Sequence, residues 1–349
     1  MIKSIAIKNY RGIKDLEIDN FKKYNFFIGD NGSKKTTILE SLGIALQLDS
    51  FKILEYAKNR KMKLKKDNRS SLFFNSDIKN TIKFILDVED NIKVETNILI
   101  RNTLFKFQDN FFNQVTTKYG KYFYTISKKI GEDKVEHNIF EGVEDFYLDH
   151  ESEEIPQNFE GFLEKYDSLI QISEELKNSK GTIEYIDKII KSRKKEKLLK
   201  CLQIIDKDII DIYINDEEIF VEKETLRTYI PISSIGDGMV LALDIISHLI
   251  FFDNFEIILI DEIERGIYYK NYRKLSEIII DLCKNNQNIQ LFITTHSKEF
   301  LEAFNEALLE SEKDNFSLFS LRNKKEKLDV VHYTSEELKD TLETGWDPR

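Results

Sequence analysis

Four separated groups of residues in this chain carry side chains suited to phosphate chemistry. The first is Gly29-Asp30-Asn31-Gly32-Ser33-Lys34-Lys35-Thr36, followed by Thr37 and an apolar run. It fits the phosphate-loop template G-x-x-x-x-G-K-[ST] at Gly29, Lys35 and Thr36, with Lys34 in place of the second glycine. A loop of this kind aims backbone N–H groups and the positive end of a helix at an anion. Gly29, Asn31, Gly32, Ser33, Lys34, Lys35, Thr36 and Thr37 are therefore candidate contacts for a nucleoside triphosphate, with the Thr36 hydroxyl on the Mg2+ side.

The second group closes the apolar run Glu256 to Ile260 with Asp261 and Glu262. Asp261 would hold Mg2+ through water, and Glu262 would position and deprotonate an attacking water. The third closes a similar run with Thr294-Thr295-His296-Ser297, where His296 could sense or stabilise the γ-phosphate. The fourth, Ser233-Ser234-Ile235-Gly236-Asp237-Gly238, is a Ser/Gly turn before a helix and a second anion-binding helix start, with Ser234, Gly236 and Gly238 as its candidates. Each group alone has an ordinary structural explanation: strands end in polar residues, helix caps carry Ser and Gly, and single histidines fill cores. Their joint appearance along the chain in the order phosphate loop, Ser/Gly helix start, Asp-Glu strand end, His strand end carries the reading.

These residues require particular elements behind them. Tyr24 to Ile28 reads as the strand before the loop, and Ile38, Leu39, Leu42, Ile44, Ala45 and Leu46 as the apolar face of the helix after it. Runs 256–260 and 290–294 read as strands buried on both faces, the pattern of a parallel sheet, whose carboxyl ends are where α/β folds bind ligands. Ile2 to Ile7, Ile13 to Ile18, Thr81 to Val88, Ile92 to Arg101, Lys121 to Lys129 and Val135 to Phe140 alternate as antiparallel strands. Phe159 to Asp211 has helical periodicity and many charges, and 209–214 and 218–222 return to strands. The fold class is α/β, with an antiparallel β lobe and a helical insertion: residues 1–140 hold the loop and β lobe, 141–225 the mainly helical insertion, and 226–349 the remaining chemistry.

Bulk properties bound the function. The 349 residues are 41% hydrophobic with a net charge of −10, which argues against coating nucleic acid with the whole surface. Basic runs at 52–69 and 191–200 could meet phosphates, although such runs are usually solvated faces. Two distant cysteines, Cys201 and Cys283, suggest a reducing cytosol. The N-terminus lacks a signal-peptide pattern, and no apolar run has the length of a membrane span. The expectation is a cytoplasmic protein.

With Ile7-Lys8-Asn9-Tyr10-Arg11-Gly12, Asp261-Glu262-Ile263-Glu264-Arg265-Gly266, Thr294 to Ser297 and the tail Glu336 to Gly345, the chain resembles ABC-type ATPases of the RecF/SMC and OLD groups. It is most similar to the bacterial OLD-like AAA ATPases of antiphage systems. The resemblance implies ATP and Mg2+ sandwiched between two heads. Gly29, Lys35, Thr36, Asp261 and Glu262 of one head would face Ser234, Gly236 and Gly238 of another, with Glu264 and Arg265 near the partner copy. It also implies a separately encoded effector, a nuclease or toxin, because no TOPRIM nuclease signature follows His296. A RecF-like DNA-repair ATPase and a nucleotide-dependent scaffold, slowed by Lys34, stand as alternatives. Lys34 would be strained if its position needs positive φ, and Asn75 is the nearest candidate for a lid residue.

Overall fold

The computed structural model describes residues 1–47, 72–89, 92–102, 122–131, 133–141, 146–148, 169–172, 180–215, 218–251, 256–284, 286, 288–308, 310–324, 327–345 and 347–349. The basic run at 52–69 and most of the acidic stretch before Pro156 lie outside them. The chain divides into two compact units, one made of Met1–Phe21, Glu40–Asp167 and Asn323–Asp329, the other of Lys22–Leu39, Ser168–Arg322 and Val330–Arg349.

The first unit holds a seven-stranded sheet in the order β2-β1-β4-β5-β6-β7-β8. Its strands are β1 (Ile2–Tyr10), β2 (Ile13–Ile18), β4 (Ile82–Val88), β5 (Ile92–Asn102), β6 (Tyr122–Ile130), β7 (Asp133–Glu141) and β8 (Phe146–Leu148). Every pairing is antiparallel. Alternation fixes the register: Ile82, Phe84, Leu86 and Val88 are buried while the residues between them are half-exposed. A one-residue slip would turn that whole apolar set outward. Asn9, near the end of β1, has φ 55, and Arg11 in the β1–β2 turn has φ 49. Tyr10 Oη donates to buried Glu40 at 3.2 Å and Arg11 Nη1 pairs with it at 2.9 Å. Buried Lys128 on β6 donates to the carbonyls of Ala45 and Gln47, the latter at 2.6 Å. It thus places a cation at the negative end of the loop helix, where burial pulls its pKa down to about 7.

The second unit is built on a six-stranded sheet in the order β16-β15-β3-β14-β13-β9. These strands are β3 (Tyr24–Ile28), β9 (Leu169–Ile172), β13 (Glu256–Ile260), β14 (Ile289–Thr294), β15 (Phe316–Lys324) and β16 (Lys327–Tyr333). Parallel pairing runs from β15 through β3, β14 and β13 to β9. β3 and β14 are buried along their entire length, as continuous apolar runs require in a sheet covered on both faces. The Phe26 ring meets Phe304 at 4.8 Å and Phe316 at 5.6 Å. Truncating a ring so enclosed costs roughly 3–5 kcal/mol.

Helices connect and cover these strands: α1 (Lys35–Leu46), α2 (Lys180–Lys191), α3 (Lys195–Ile205), α4 (Asp237–Phe251), α5 (Tyr272–Lys284), α6 (Lys298–Ala307) and α7 (Ser335–Glu343). A small antiparallel sheet of β10 (Ile209–Asn215), β11 (Glu218–Lys223) and β12 (Thr228–Pro231) precedes α4. α4 is buried from Gly238 to Ile250, its internal Asp244 taking a hydrogen bond from Thr182 at 2.8 Å.

One expectation needs correcting. Residues 169–172, read as part of a helical stretch, form β9 and pair in parallel with β13. Leu169-Ile170-Gln171-Ile172 is too short for periodicity to separate strand from helix, and the pairing partner decides. Asn75 sits exposed in a short 3-10 turn, Phe74–Ser76, with φ 51.

Candidate functional site

β3, β14 and β13 run side by side and in parallel, so their carboxyl ends deliver three loops to one edge of the sheet. The loop after β3 turns at Gly29, whose φ of 153° is a glycine conformation; a Cβ there would lie 2.4 Å from the Leu321 carbonyl oxygen. Gly32 also has positive φ, at 78°. Ser33 N–H donates to Asp30 O at 3.1 Å, and the Lys34 carbonyl accepts from Ile38 N–H at 3.0 Å, opening α1. Lys34 joins the turn to the helix at φ 72, the left-handed region in which a Cβ is disfavoured. Asn31 and Gly32 are exposed at the loop tip, whereas Ser33 and Thr37 are buried.

Lys35 is only 5% exposed. Its ammonium donates to Gly29 O at 2.6 Å, Asp30 O at 3.1 Å and Ser33 Oγ at 3.3 Å, and lies 3.3 Å from His296 Nδ1. Burial lowers its pKa to about 8, against the opposing pull of Glu264, Asp261, Glu262 and Asp30. Thr36 Oγ1 donates to the Asp261 carboxylate at 3.1 Å, and Thr294 Oγ1 donates to Asp261 Oδ1 at 2.7 Å. Thr294 in turn accepts the Glu262 backbone N–H at 2.8 Å. Glu262 has φ 55, and its carboxylate lies 3.4 Å from Arg265 Nη1 and 4.0 Å from His296 Nε2. A left-handed backbone at a non-glycine residue costs on the order of 1–3 kcal/mol and persists where surrounding contacts enforce it; here the Thr294 hydrogen bond does so.

The structure thus brings Gly29, Ser33, Lys35, Thr36, Asp261, Glu262 and His296 into one constellation. It does not bring Ser234, Gly236 or Gly238 there. Ser234 ends a 3-10 turn, Ile232–Ser234, and is exposed; Gly236 is exposed at φ 127 with open space around it. Gly238 is different again. It is buried against the loop after Asp261, where a Cβ would meet Gly266 O at 2.2 Å. Its small size serves the packing of α4 on that loop. Both glycines line a cavity of about 240 Å³ with Ile235, Met239, Ile267 and Tyr268. Glu264, expected near a partner copy, is engaged within its own chain: it accepts Thr295 Oγ1 and His296 N–H, each at 2.7 Å.

The donor set suits the groups the sequence implies. Thr36 and Asp261 offer a hydroxyl and a carboxylate side by side, all-oxygen ligands of the type Mg2+ takes while keeping its waters and binding phosphate. The α1 N-terminus, the Gly29 turn and a buried lysine supply the cations and N–H groups a triphosphate needs.

Parallel strands ending in a phosphate loop, an Asp-Glu pair and a histidine, in a chain that also holds an antiparallel sheet, give the fold of an ABC-type P-loop ATPase. The family model described as "AAA domain, putative AbiEii toxin, Type IV TA system" matches residues 24–302, and the chain belongs to this family. An ATP/GTP phosphatase of Helicobacter pylori is 27% identical over 337 residues, 89% of this chain and 90% of that protein. The DNA replication and repair protein RecF of Leptospira interrogans is 33% identical over 82 residues, 24% of this chain and 21% of that protein. Among solved structures, an Smc head domain with an extended coiled coil, bound to the C-terminal domain of ScpA derived from Pyrococcus furiosus, aligns with a TM-score of 0.51. That match has 11% identity and covers 99% of each chain. An SmcHead bound to the C-winged helix domain of ScpA gives 0.51 at 12% identity, covering 96% of this chain and 98% of that one. These two likenesses concern the fold alone. Among the described residues no helix is long and apolar enough to cross a membrane.

Proposed function

We propose that the chain binds ATP with Mg2+ at the β3–β14–β13 edge, closes head to head with a second copy, and uses that cycle to control a separately encoded effector in antiphage defence. The observation that carries the reading is the meeting of Lys35, Thr36, Asp261 and His296 within hydrogen-bond range from three separate strand ends. In this reading Lys35 and the α1 N–H groups bind the phosphates, and Thr36 and Asp261 hold the metal. Glu262 orients the attacking water and takes its proton, and His296 holds the γ-phosphate end of the site. Mg2+, when bound, would supply charge neutralisation of the phosphate oxygens.

Support for the closed pair comes from the exposure of Ser234 and Gly236 in the turn before α4, where another head's nucleotide could reach them. Support for an effector comes from the toxin–antitoxin wording of the family description. The test is Glu262→Gln with ATP, read by light scattering after gel filtration. A dimer that dissociates when ATP is removed is expected; a monomer at saturating ATP would count against closure. A second reading, DNA repair, is favoured by the RecF likeness, and turnover stimulated severalfold by DNA would select it.

A further inference from the structure

We infer that Glu264 is a positioning residue for His296. This rests on the reading of His296 as a residue of the turnover site. Two residues past Glu262, the Glu264 carboxylate spans the gap between the loops that follow β13 and β14. One oxygen accepts the Thr295 hydroxyl at 2.7 Å and the other accepts the His296 backbone N–H at 2.7 Å. Charge-assisted bonds of this length are roughly twice as strong as neutral ones. Thr295 is fully buried, and its oxygen also accepts the Ser297 N–H at 3.0 Å, so the grip extends across residues 295–297.

Two further contacts hold the loop from which Glu264 projects. Ile263 N–H, in the loop past the end of β13, donates to Thr294 O at 3.2 Å, and Ile267 N–H closes back on Glu264 O at 3.1 Å. On the far side Gly266 abuts Gly238 so closely that neither position has room for a Cβ. Glu264 therefore acts from an anchored segment, and what it fixes is the direction in which the His296 ring leaves the backbone. That direction sets both ring distances, 3.3 Å from Nδ1 to Lys35 Nζ and 4.0 Å from Nε2 to Glu262. Glu264 holds the His296 N–H and the Thr295 hydroxyl, so its effect on the position of the ring passes through the backbone of His296. Displacement of a reacting or orienting group by about 1 Å can cost on the order of 100-fold.

The experiment is a double-mutant cycle on the full chain, with ATP turnover at saturating Mg2+ and ATP affinity measured for each variant. Glu264→Ala is expected to lower kcat about 10- to 100-fold while ATP affinity stays within about threefold. Glu264→Gln, which keeps an acceptor for the His296 N–H and a polar partner for Thr295, should recover most of the loss. His296→Ala should lower kcat comparably, and adding Glu264→Ala to it should cost nothing more. Losses that multiply in the double variant would overturn the positioning role while leaving His296 in place. A fall in melting temperature with kcat unchanged in Glu264→Ala would also overturn it. Wild-type turnover in His296→Ala would instead remove the underlying assignment of His296, and the inference with it.

Discussion

Lys34 occupies a backbone conformation that its own side chain opposes, and the cost can be measured. At φ 72 it lies in the left-handed region, where a Cβ costs roughly 1–2 kcal/mol. Glycine removes that cost but gives up about 0.5–1 kcal/mol through its freer unfolded chain. Lys34→Gly should therefore gain on the order of 0.5–1 kcal/mol, equivalent to about 1 °C in melting temperature for a chain of this size. Lys34→Ala is the control, because it loses the charge and keeps the Cβ; it should show no gain. Thermal unfolding followed by circular dichroism reads both. A change in ATP turnover shared by the two variants reports the ammonium, whereas one confined to Lys34→Gly reports the backbone. The strain argument is refuted if Lys34→Gly melts at or below the wild type, or if the two variants melt together.

Further outcomes follow from the same geometry. The Lys35 pKa near 8 lies below that of the unfolded chain, so the nucleotide-free protein binds fewer protons than its unfolded state between about pH 8 and 10.5, and stability should rise with pH across that window. Phosphate oxygens favour the charged lysine, so ATP affinity should be flat below about pH 8 and fall by up to tenfold per unit above it. Calorimetric titrations from pH 7 to 9.5 would show this, and Lys35→Arg should abolish the slope because arginine stays charged. Gly238→Ala forces a methyl against the Gly266 carbonyl, 2.2 Å from where its carbon would sit. Overpacking against backbone should cost roughly 1–3 kcal/mol of stability, read by urea unfolding; a variant as stable as the wild type would show that the loop yields freely.

The strands and loops of the candidate site were legible in the sequence where an apolar run stops at a polar group. β3 and the loop after it are marked by consecutive apolar residues running into Gly29, and β13 and β14 by apolar runs that stop at Asp261 and Thr294. The antiparallel strands announced themselves by alternation, as at Ile82, Phe84, Leu86 and Val88. What could not be read depends on contacts between distant segments. β9 is four residues in a charged, helix-like stretch, and only its pairing with β13 makes it a strand. Gly238 looks like a phosphate-approach glycine in a Ser/Gly turn, yet its partner is Gly266 in another loop. Glu264 reads as one more acid after Asp261 and Glu262, and nothing in its spacing reveals that its oxygens meet Thr295 and His296.

The most direct test of the central claim is a crystal structure of the full chain with Mg2+ and a non-hydrolysable ATP analogue. The account predicts phosphate oxygens within hydrogen-bond distance of Lys35 and the α1 N-terminus, and a metal between Thr36 and Asp261. A nucleotide bound elsewhere on the chain, with Lys35 still held by the carbonyls of Gly29 and Asp30, would contradict it.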